Sequence, residues 1–150
     1  MSLKDQLFED MKNAMKAKEA GKLRLSVIRM ARAAIKNAEI DKRQEFEDAQ
    51  VVEILAREVK MRRDAIIEFT KVDRADQVKK LEEEISVLLT YLPRQLTEEE
   101  IRQLTKETIQ ALGAQSLKDL GKVMGAMTPK TKGRADGKVV NQIVREFLGS

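Results

Sequence analysis

The chain has no cysteine, no histidine and no tryptophan, and only 2 Pro, 1 Tyr and 4 Phe in 150 residues. Without Cys there is no disulfide framework and no thiolate nucleophile; without Cys and His together there are no Fe–S clusters, structural zinc sites, Ser-His-Asp or Cys-His triads, nor the usual imidazole acid or base. No metal site, cofactor or catalytic residue is therefore expected. The apolar runs fall far short of the roughly 20 residues that span a bilayer, and the amino terminus, MSLKDQLFEDMKNAM, is charged and amphipathic rather than leader-like. A cytoplasmic protein of bacterial type, with no membrane partner, is the expectation. The scarcity of aromatic residues also removes base stacking as a route to single-stranded nucleic acid.

What remains is helix-forming. Hydrophobic residues make up 42 % and charged residues 36 %, and Ala, Leu, Lys, Glu, Arg and Gln are abundant, which predicts an all-α chain. Residues 1–112 carry 22 Lys and Arg against 22 Asp and Glu, whereas residues 113–150 carry 7 against 3. The whole net charge of +4 and six of the seven glycines thus lie in the tail.

Periodicity places four helices in residues 1–92, as a bundle or a pair of hairpins. Ser2 is the expected cap of the first, with the stripe Leu3, Leu7, Met11 and Met15 and a break at Gly21. The second carries Leu25, Ile28, Ala31, Ile35 and Ala38 and is expected to dissolve across Asp41 to Asp48. The third begins near Ala49 and buries Val52, Leu55, Val59, Ile66 and Phe69, with Arg62 interrupting the register. The fourth buries Val78, Leu81, Ile85, Leu88 and Leu92, and Pro93 stops it.

A second domain of three helices is expected over residues 97–148. Thr97-Glu-Glu-Glu100 forms a capping box ahead of a helix burying Ile101, Leu104, Thr108 and Leu112, closed by Gly113. Ser116 opens a shorter helix with Leu120, Val123, Met124 and Met127 inward, ended by Pro129. Asp136 caps the last, which buries Val139, Val140, Ile143, Val144 and Phe147.

Four features have the chemistry of a binding site. Lys130, Lys132, Arg134 and Lys138, with Gly133 and Gly137, crowd the approach to a helix amino terminus, where backbone N–H groups and the helix dipole favour a phosphate; the same Gly and Asp also serve a plain solvated turn. Gly121-Lys122-Val-Met-Gly125 reads first as a close helix crossing, the alternative being a smooth face that admits a sugar-phosphate backbone beside Lys122. Arg24, Arg29, Arg32 and Lys36 form a basic stripe with no acid between Glu19 and Glu39. Arg57, Lys60, Arg62, Arg63 and Lys71 interleave with Glu53, Glu58, Asp64 and Glu68 as a salt-bridged solvated face. The runs Glu82–Glu84 and Glu98–Glu100 point around their helices and cannot converge on one ion.

Several of these segments are similar to known ones. Asp10-Met-Lys12, Leu25-Ser-Val-Ile-Arg-Met30, Arg57-Glu-Val-Lys-Met-Arg-Arg-Asp64, Tyr91-Leu-Pro-Arg-Gln-Leu96, Gly121-Lys-Val-Met-Gly125, Pro129-Lys-Thr-Lys-Gly-Arg-Ala-Asp-Gly137 and Val139-Val-Asn141 closely resemble the stand-alone YqeY-like proteins of bacteria over essentially the whole chain. The tail also resembles the carboxy-terminal domain of the B subunit of the glutamine-dependent aspartyl/glutamyl-tRNA amidotransferase, which contacts the tRNA elbow. By that resemblance Gly125, Lys132, Gly133, Arg134, Ala135, Asp136 and Asn141 are carried over, without deciding which touch RNA and which hold the fold. Nothing in residues 1–92 resembles kinase or amidase parts, so a label of amidotransferase activity would be inherited from the tail alone. The resemblance implies a non-catalytic tRNA-binding protein that reads folded RNA by shape and phosphate. The second reading is an accessory factor that binds a tRNA amidotransferase or aminoacyl-tRNA synthetase through its helices. A carbon-nitrogen ligase using glutamine as amide donor is the third, and no Ser or Thr has a recognisable base beside it.

Overall fold

In the computed structural model, residues 1–149 are described. They form seven α-helices and two 3-10 turns, with no strand among the described residues. The chain is all-α and divides into two compact units, Met1–Leu92 and Pro93 onward.

In the first unit, α1 (Leu3–Lys16) starts where the Asp5 amide donates to Ser2 Oγ at 3.1 Å and the Asp5 carboxylate accepts from the Ser2 amide. It stops at Lys16, and a 3-10 turn over Lys18–Gly21 leads into α2 (Lys22–Lys42). Gly21 is thus the last residue of the turn rather than the break itself. A Cβ there would lie 2.3 Å from the Ala14 carbonyl oxygen, so only glycine lets the two helices approach at this corner. α2 ends within the charged segment Asp41 to Asp48, as expected: its last residue is Lys42, and Arg43, at φ 54°, closes it while the Gln44 amide reaches the Glu39 carbonyl at 3.1 Å.

α3 (Asp48–Lys71) and α4 (Ala75–Leu89) complete the unit. The core comprises Leu7, Val27, Ile28, Ile35, Phe46, Val51, Leu55, Val59, Leu88 and their neighbours. The buried arc of α3 runs through Val51, Ile54, Leu55, Glu58, Val59 and Arg62, so Val52, Ile66 and Phe69 are only half-buried. Arg62 belongs to that arc instead of interrupting it. At 5 % exposure it donates from Nη1 to Glu58 Oε1 at 3.1 Å and to the Glu58 carbonyl at 3.1 Å, and from Nε to Glu84 Oε1 at 3.0 Å. The salt-bridged face expected on α3 therefore divides: Lys60–Asp64 and Lys71–Glu68 are surface pairs, whereas Arg62 is buried, because a guanidinium can be removed from water only when its fork is filled. Met15, expected inward, is 49 % exposed at the end of α1.

α4 ends at Leu89, ahead of Pro93, with Thr90 Oγ1 turned back onto the Val87 carbonyl at 2.7 Å. Tyr91 is buried, and its hydroxyl donates to Asp10 Oδ2, which also faces Arg24 Nη2 at 3.5 Å.

The second unit contains α5 (Glu98–Leu112), α6 (Leu120–Thr131) and α7 (Gly137–Leu148) around Ile101, Val123, Met127, Val140, Ile143, Val144 and Leu148. The Thr97–Glu100 capping box is reciprocal, at 3.1 and 3.0 Å, and Gly113 closes α5 at φ 65°. Asp136 Oδ1 accepts from the Lys138 amide at 2.9 Å to start α7. Two residues expected inward on α7 are not: Val139 is 40 % and Phe147 41 % exposed. The buried arc takes Leu148 in their place.

Two outcomes follow from the first unit. Gly21→Ala should lower stability by about 1–3 kcal/mol, since the added carbon displaces backbone rather than a flexible side chain; an unchanged urea midpoint would contradict the close approach. Burial first, and then the Asp10 carboxylate, push the Tyr91 hydroxyl up to about 12 from 10.0. An acid raised in the folded state contributes stability that is complete below its unfolded value near 10 and lost as pH rises through 12. Tyr91 is the single Tyr and there is no Trp, so phenolate absorbance reads this group alone. The native midpoint should lie near 12 and fall in Asp10→Asn.

Candidate functional site

The basic tail is shaped by a proline that does not break its helix. Pro129 lies inside α6, which runs on to Thr131, contrary to the expected stop. Its missing N–H leaves the Gly125 carbonyl without its helical donor; beside it Thr128 Oγ1 donates to the Met124 carbonyl at 2.8 Å and Thr131 Oγ1 to the Met127 carbonyl at 3.2 Å, and neither bond replaces the lost one. The Lys132 amide then reaches the Thr128 carbonyl at 3.0 Å. Burial of Met127 and Thr131 against α5 and α7 holds that last turn in place. The basic loop is accordingly short, Lys132 to Asp136, and Lys130 belongs to the helix, where its ammonium lies 3.4 Å from Thr108 Oγ1.

Gly133 is buried at φ 74°, a left-handed conformation that favours glycine. Its carbonyl accepts from Gln95 Nε2 at 2.8 Å, and the neighbouring Arg134 carbonyl accepts from the Leu96 amide at 2.8 Å. Arg134 is half-buried and donates from Nε to the Arg94 carbonyl at 3.1 Å. Arg94 in turn forms a two-pronged pair with Glu100, at 2.9 and 2.8 Å. Residues 94–96 are thus strapped across the loop. The sequence marks this segment by Pro93, the Thr97 capping box and the resemblance of Tyr91–Leu96, but none of these shows that it pairs with residues 133–134. The Arg94 guanidinium, and then the Thr97 amide, hold the Glu100 carboxyl at about 2.

The candidate residues fall into two groups. Gly133, Arg134, Ala135 and Asp136 hold structure: a left-handed turn, the strap, packing against the core and a helix cap. Lys122, Gly125, Lys132 and Lys138 are exposed. Asn141 Oδ1 accepts from Arg145 Nε at 2.8 Å, beside a shallow groove of about 430 Å³ that reaches Lys138 and Leu117.

The glycine pair on α6 does not lie at a helix crossing. A Cβ at Gly121 or Gly125 would meet nothing within 4 Å. Lys118, Gly121, Lys122, Gly125, Thr128 and Lys132 recur at three- and four-residue spacing along the exposed side of this segment, leaving a face with little side-chain relief between lysines. Near Lys122, the Asp119 carboxyl is held below its ordinary range by the Gln115 amide, then the Ser116 amide, then Lys122 itself.

Elsewhere, the basic stripe of α2 loses one member: Arg24 turns to Asp10. Arg32 donates to Met11 Sδ at 3.1 Å and lies 5.1 Å from the Phe8 ring centre, while Arg29 and Lys36 are exposed. The acidic runs are used in ion pairs, Glu84 with Arg62, Glu98 with Arg102 and Glu100 with Arg94. Among the described residues no group of three or more carboxylates is placed to hold a metal ion, and no helix is long and apolar enough to cross a membrane.

A family model described as "Yqey-like protein" matches residues 4–148. Among curated proteins, "Altered inheritance of mitochondria protein 41, mitochondrial" of Kluyveromyces lactis is 38 % identical over 86 residues, which is 57 % of this chain and 45 % of that protein. The protein of the same name from Lachancea thermotolerans is 36 % identical over 87 residues, 57 % of this chain and 46 % of the relative. The matches thus take in less than half the length of these relatives. Both carry a mitochondrial name, so they lend no support to the bacterial cytoplasm expected from the sequence.

The strap generates a stability difference with a pH signature. Arg134→Ala should cost about 1 kcal/mol, whereas Lys122→Ala should stay within about 0.5 kcal/mol of wild type. Glu100, lowered on folding, contributes stability that is present above its unfolded value near 4.5 and lost as pH falls through about 2. The gap in urea midpoint between wild type and Glu100→Gln should therefore close across that window; a constant gap would mean the pair with Arg94 contributes nothing.

Proposed function

The chain belongs to the Yqey-like protein family, and from that membership and the open face of α6 we propose that it is a non-catalytic tRNA-binding protein that grips folded RNA with its second unit. The carrying observation is Gly125. A glycine inside a helix costs about 0.5–1 kcal/mol relative to alanine, and here no neighbour within 4 Å needs the missing Cβ. A helical face that carries only Gly125 and the short Thr128 between Lys122 and Lys132 suits close approach of a sugar-phosphate backbone, with the lysines contributing charge.

Binding of this type depends on phosphate neutralisation and shape. The chain has one Tyr and no Trp, so a folded RNA with closely spaced phosphates fits it better than an unstacked strand. The tRNA elbow enters through the likeness of the tail to the amidotransferase B subunit. Catalysis forms no part of the reading, which rests on the chain having neither Cys nor His; the protein should not hydrolyse glutamine or ATP above a buffer control.

Gly125→Ala separates a structural glycine from a functional one. It should stabilise the protein by about 0.5–1 kcal/mol and still weaken tRNA binding several-fold in a filter or fluorescence titration. Lys122→Ala with Lys132→Ala should lower the log-log salt slope by somewhat less than 1 for each phosphate no longer neutralised. A Gly125→Ala protein that is more stable and binds tRNA as wild type does would refute the reading. In that case a protein partner that survives nuclease treatment in a pull-down becomes the better account.

A further inference from the structure

The first unit carries a second basic surface that the tail does not explain. A groove of about 420 Å³ lies between α1 and α2, floored by Leu7 and Ile35 and edged by Arg29, Arg32 and Lys36. Those three cations stand at positions i, i+3 and i+7 of α2, so they share one face and climb about 10 Å along it.

Two carboxylates also border the groove, and their partners decide its charge. Glu39 accepts from Lys4 Nζ at 2.6 Å and from the Phe46 amide at 2.7 Å. The Lys4 ammonium first, and then that amide, hold its carboxyl below the ordinary range. Glu39 and Lys4 thus cancel each other and are occupied in tying α1 and the Phe46 segment to α2. Lys36 also acts on Glu39, and counting Lys4, Arg29, Arg32 and Lys36 against Glu39 and Glu45 leaves the groove with a surplus of two positive charges.

Arg32 is also held in position. Its Nη1 donates to Met11 Sδ at 3.1 Å, and its guanidinium lies 5.1 Å from the Phe8 ring centre. A guanidinium fixed by a ring and a sulfur, neither of which neutralises it, loses less rotamer freedom when an anion arrives.

We propose that the α1–α2 groove is a second RNA-binding site, in which Arg29, Arg32 and Lys36 engage successive phosphates of one strand. This rests on the RNA-binding reading of the tail. A ladder of cations on successive turns of an open groove suits a string of phosphodiesters better than one small anion, which would call for donors converging on a point.

The test is made on the full chain. Arg29→Glu with Lys36→Glu should weaken tRNA binding on the order of tenfold and lower the salt slope by nearly 2. Arg32 is left intact because it packs on Phe8. Arg29→Gln with Lys36→Gln should give a smaller loss in the same direction, guarding against misfolding caused by the reversed charge beside Glu39. Lys79→Glu with Lys80→Glu, on the exposed side of α4, applies the same change of charge outside the groove and should weaken binding far less. Equal losses in the groove and control variants would overturn the proposal, as would a groove variant that binds like wild type while the Lys122 and Lys132 variant does not. Tight binding of a free nucleoside triphosphate, abolished by the groove variants with tRNA binding intact, would also overturn it in favour of a nucleotide site. A wild-type protein without affinity for tRNA would remove the tail reading itself, a different failure from weakened binding at the groove alone.

Discussion

The second unit depends on a bridge between segments nearly forty residues apart. The Leu96 amide reaches the Arg134 carbonyl and the Gln95 side chain reaches the Gly133 carbonyl, both at 2.8 Å. These bonds fasten the entry to α5 onto the loop between α6 and α7, so the basic loop is held from outside as well as by its own turn. Only with Gly133 at φ 74° do its carbonyl and that of Arg134 become available to the strap. A side chain there would strain the backbone and disturb the bonds that orient the loop. Arg134 therefore acts first as a latch, through its carbonyl and its Nε. Its charge is incidental to that task, which separates it from Lys122 and Lys132 despite their common sign.

In the first unit the corresponding constraint is ionic. Arg62 joins α3 to α4 through Glu84 and is braced by Glu58 within α3. Removing a guanidinium from water costs several kcal/mol unless its donors are filled, so this trio stands or falls together. The Tyr91–Asp10–Arg24 cluster works on the same principle at the end of α4, joining the residues that follow the helix to α1 and α2. Both clusters use polar groups where the helices meet, and that is how a chain with 36 % charged residues still closes its cores.

Local signals in the sequence carry through to the structure, and non-local ones do not. The caps at Ser2, Thr97 and Asp136 and the left-handed Gly113 need only a few neighbouring residues, and each is present. The exposed Met15, Val139 and Phe147 show where periodicity fails: an apolar residue at the right spacing has no covering partner at a helix end or flank. Pro129 reads as a stop because its ring opposes a helix. The burial of Met127 that keeps the turn in place is a tertiary fact. Arg62 reads as an intruder because Glu84, its partner, sits on another helix. For the candidate site, the cluster of cations is legible, while the division between Arg134 as a strap and Lys122 and Lys132 as exposed groups requires the pairing of residues 94–96 with 133–134.

α6 is where intrinsic propensity and tertiary packing oppose each other most sharply. A helix of twelve residues that holds two glycines and a proline has poor intrinsic propensity, since each glycine costs about 0.5–1 kcal/mol and the proline removes a backbone bond. Its persistence must come from packing on one side, through Val123, Met127 and Thr131. The opposite side gains no internal packing from its glycines. The same twelve residues are thus packed on the core side and open at both glycines on the solvent side, with the strap fixing the loop where they end. A helix anchored in this way owes its place to the packing of one side, so its exposed side is free of any structural demand for side chains at Gly121 and Gly125.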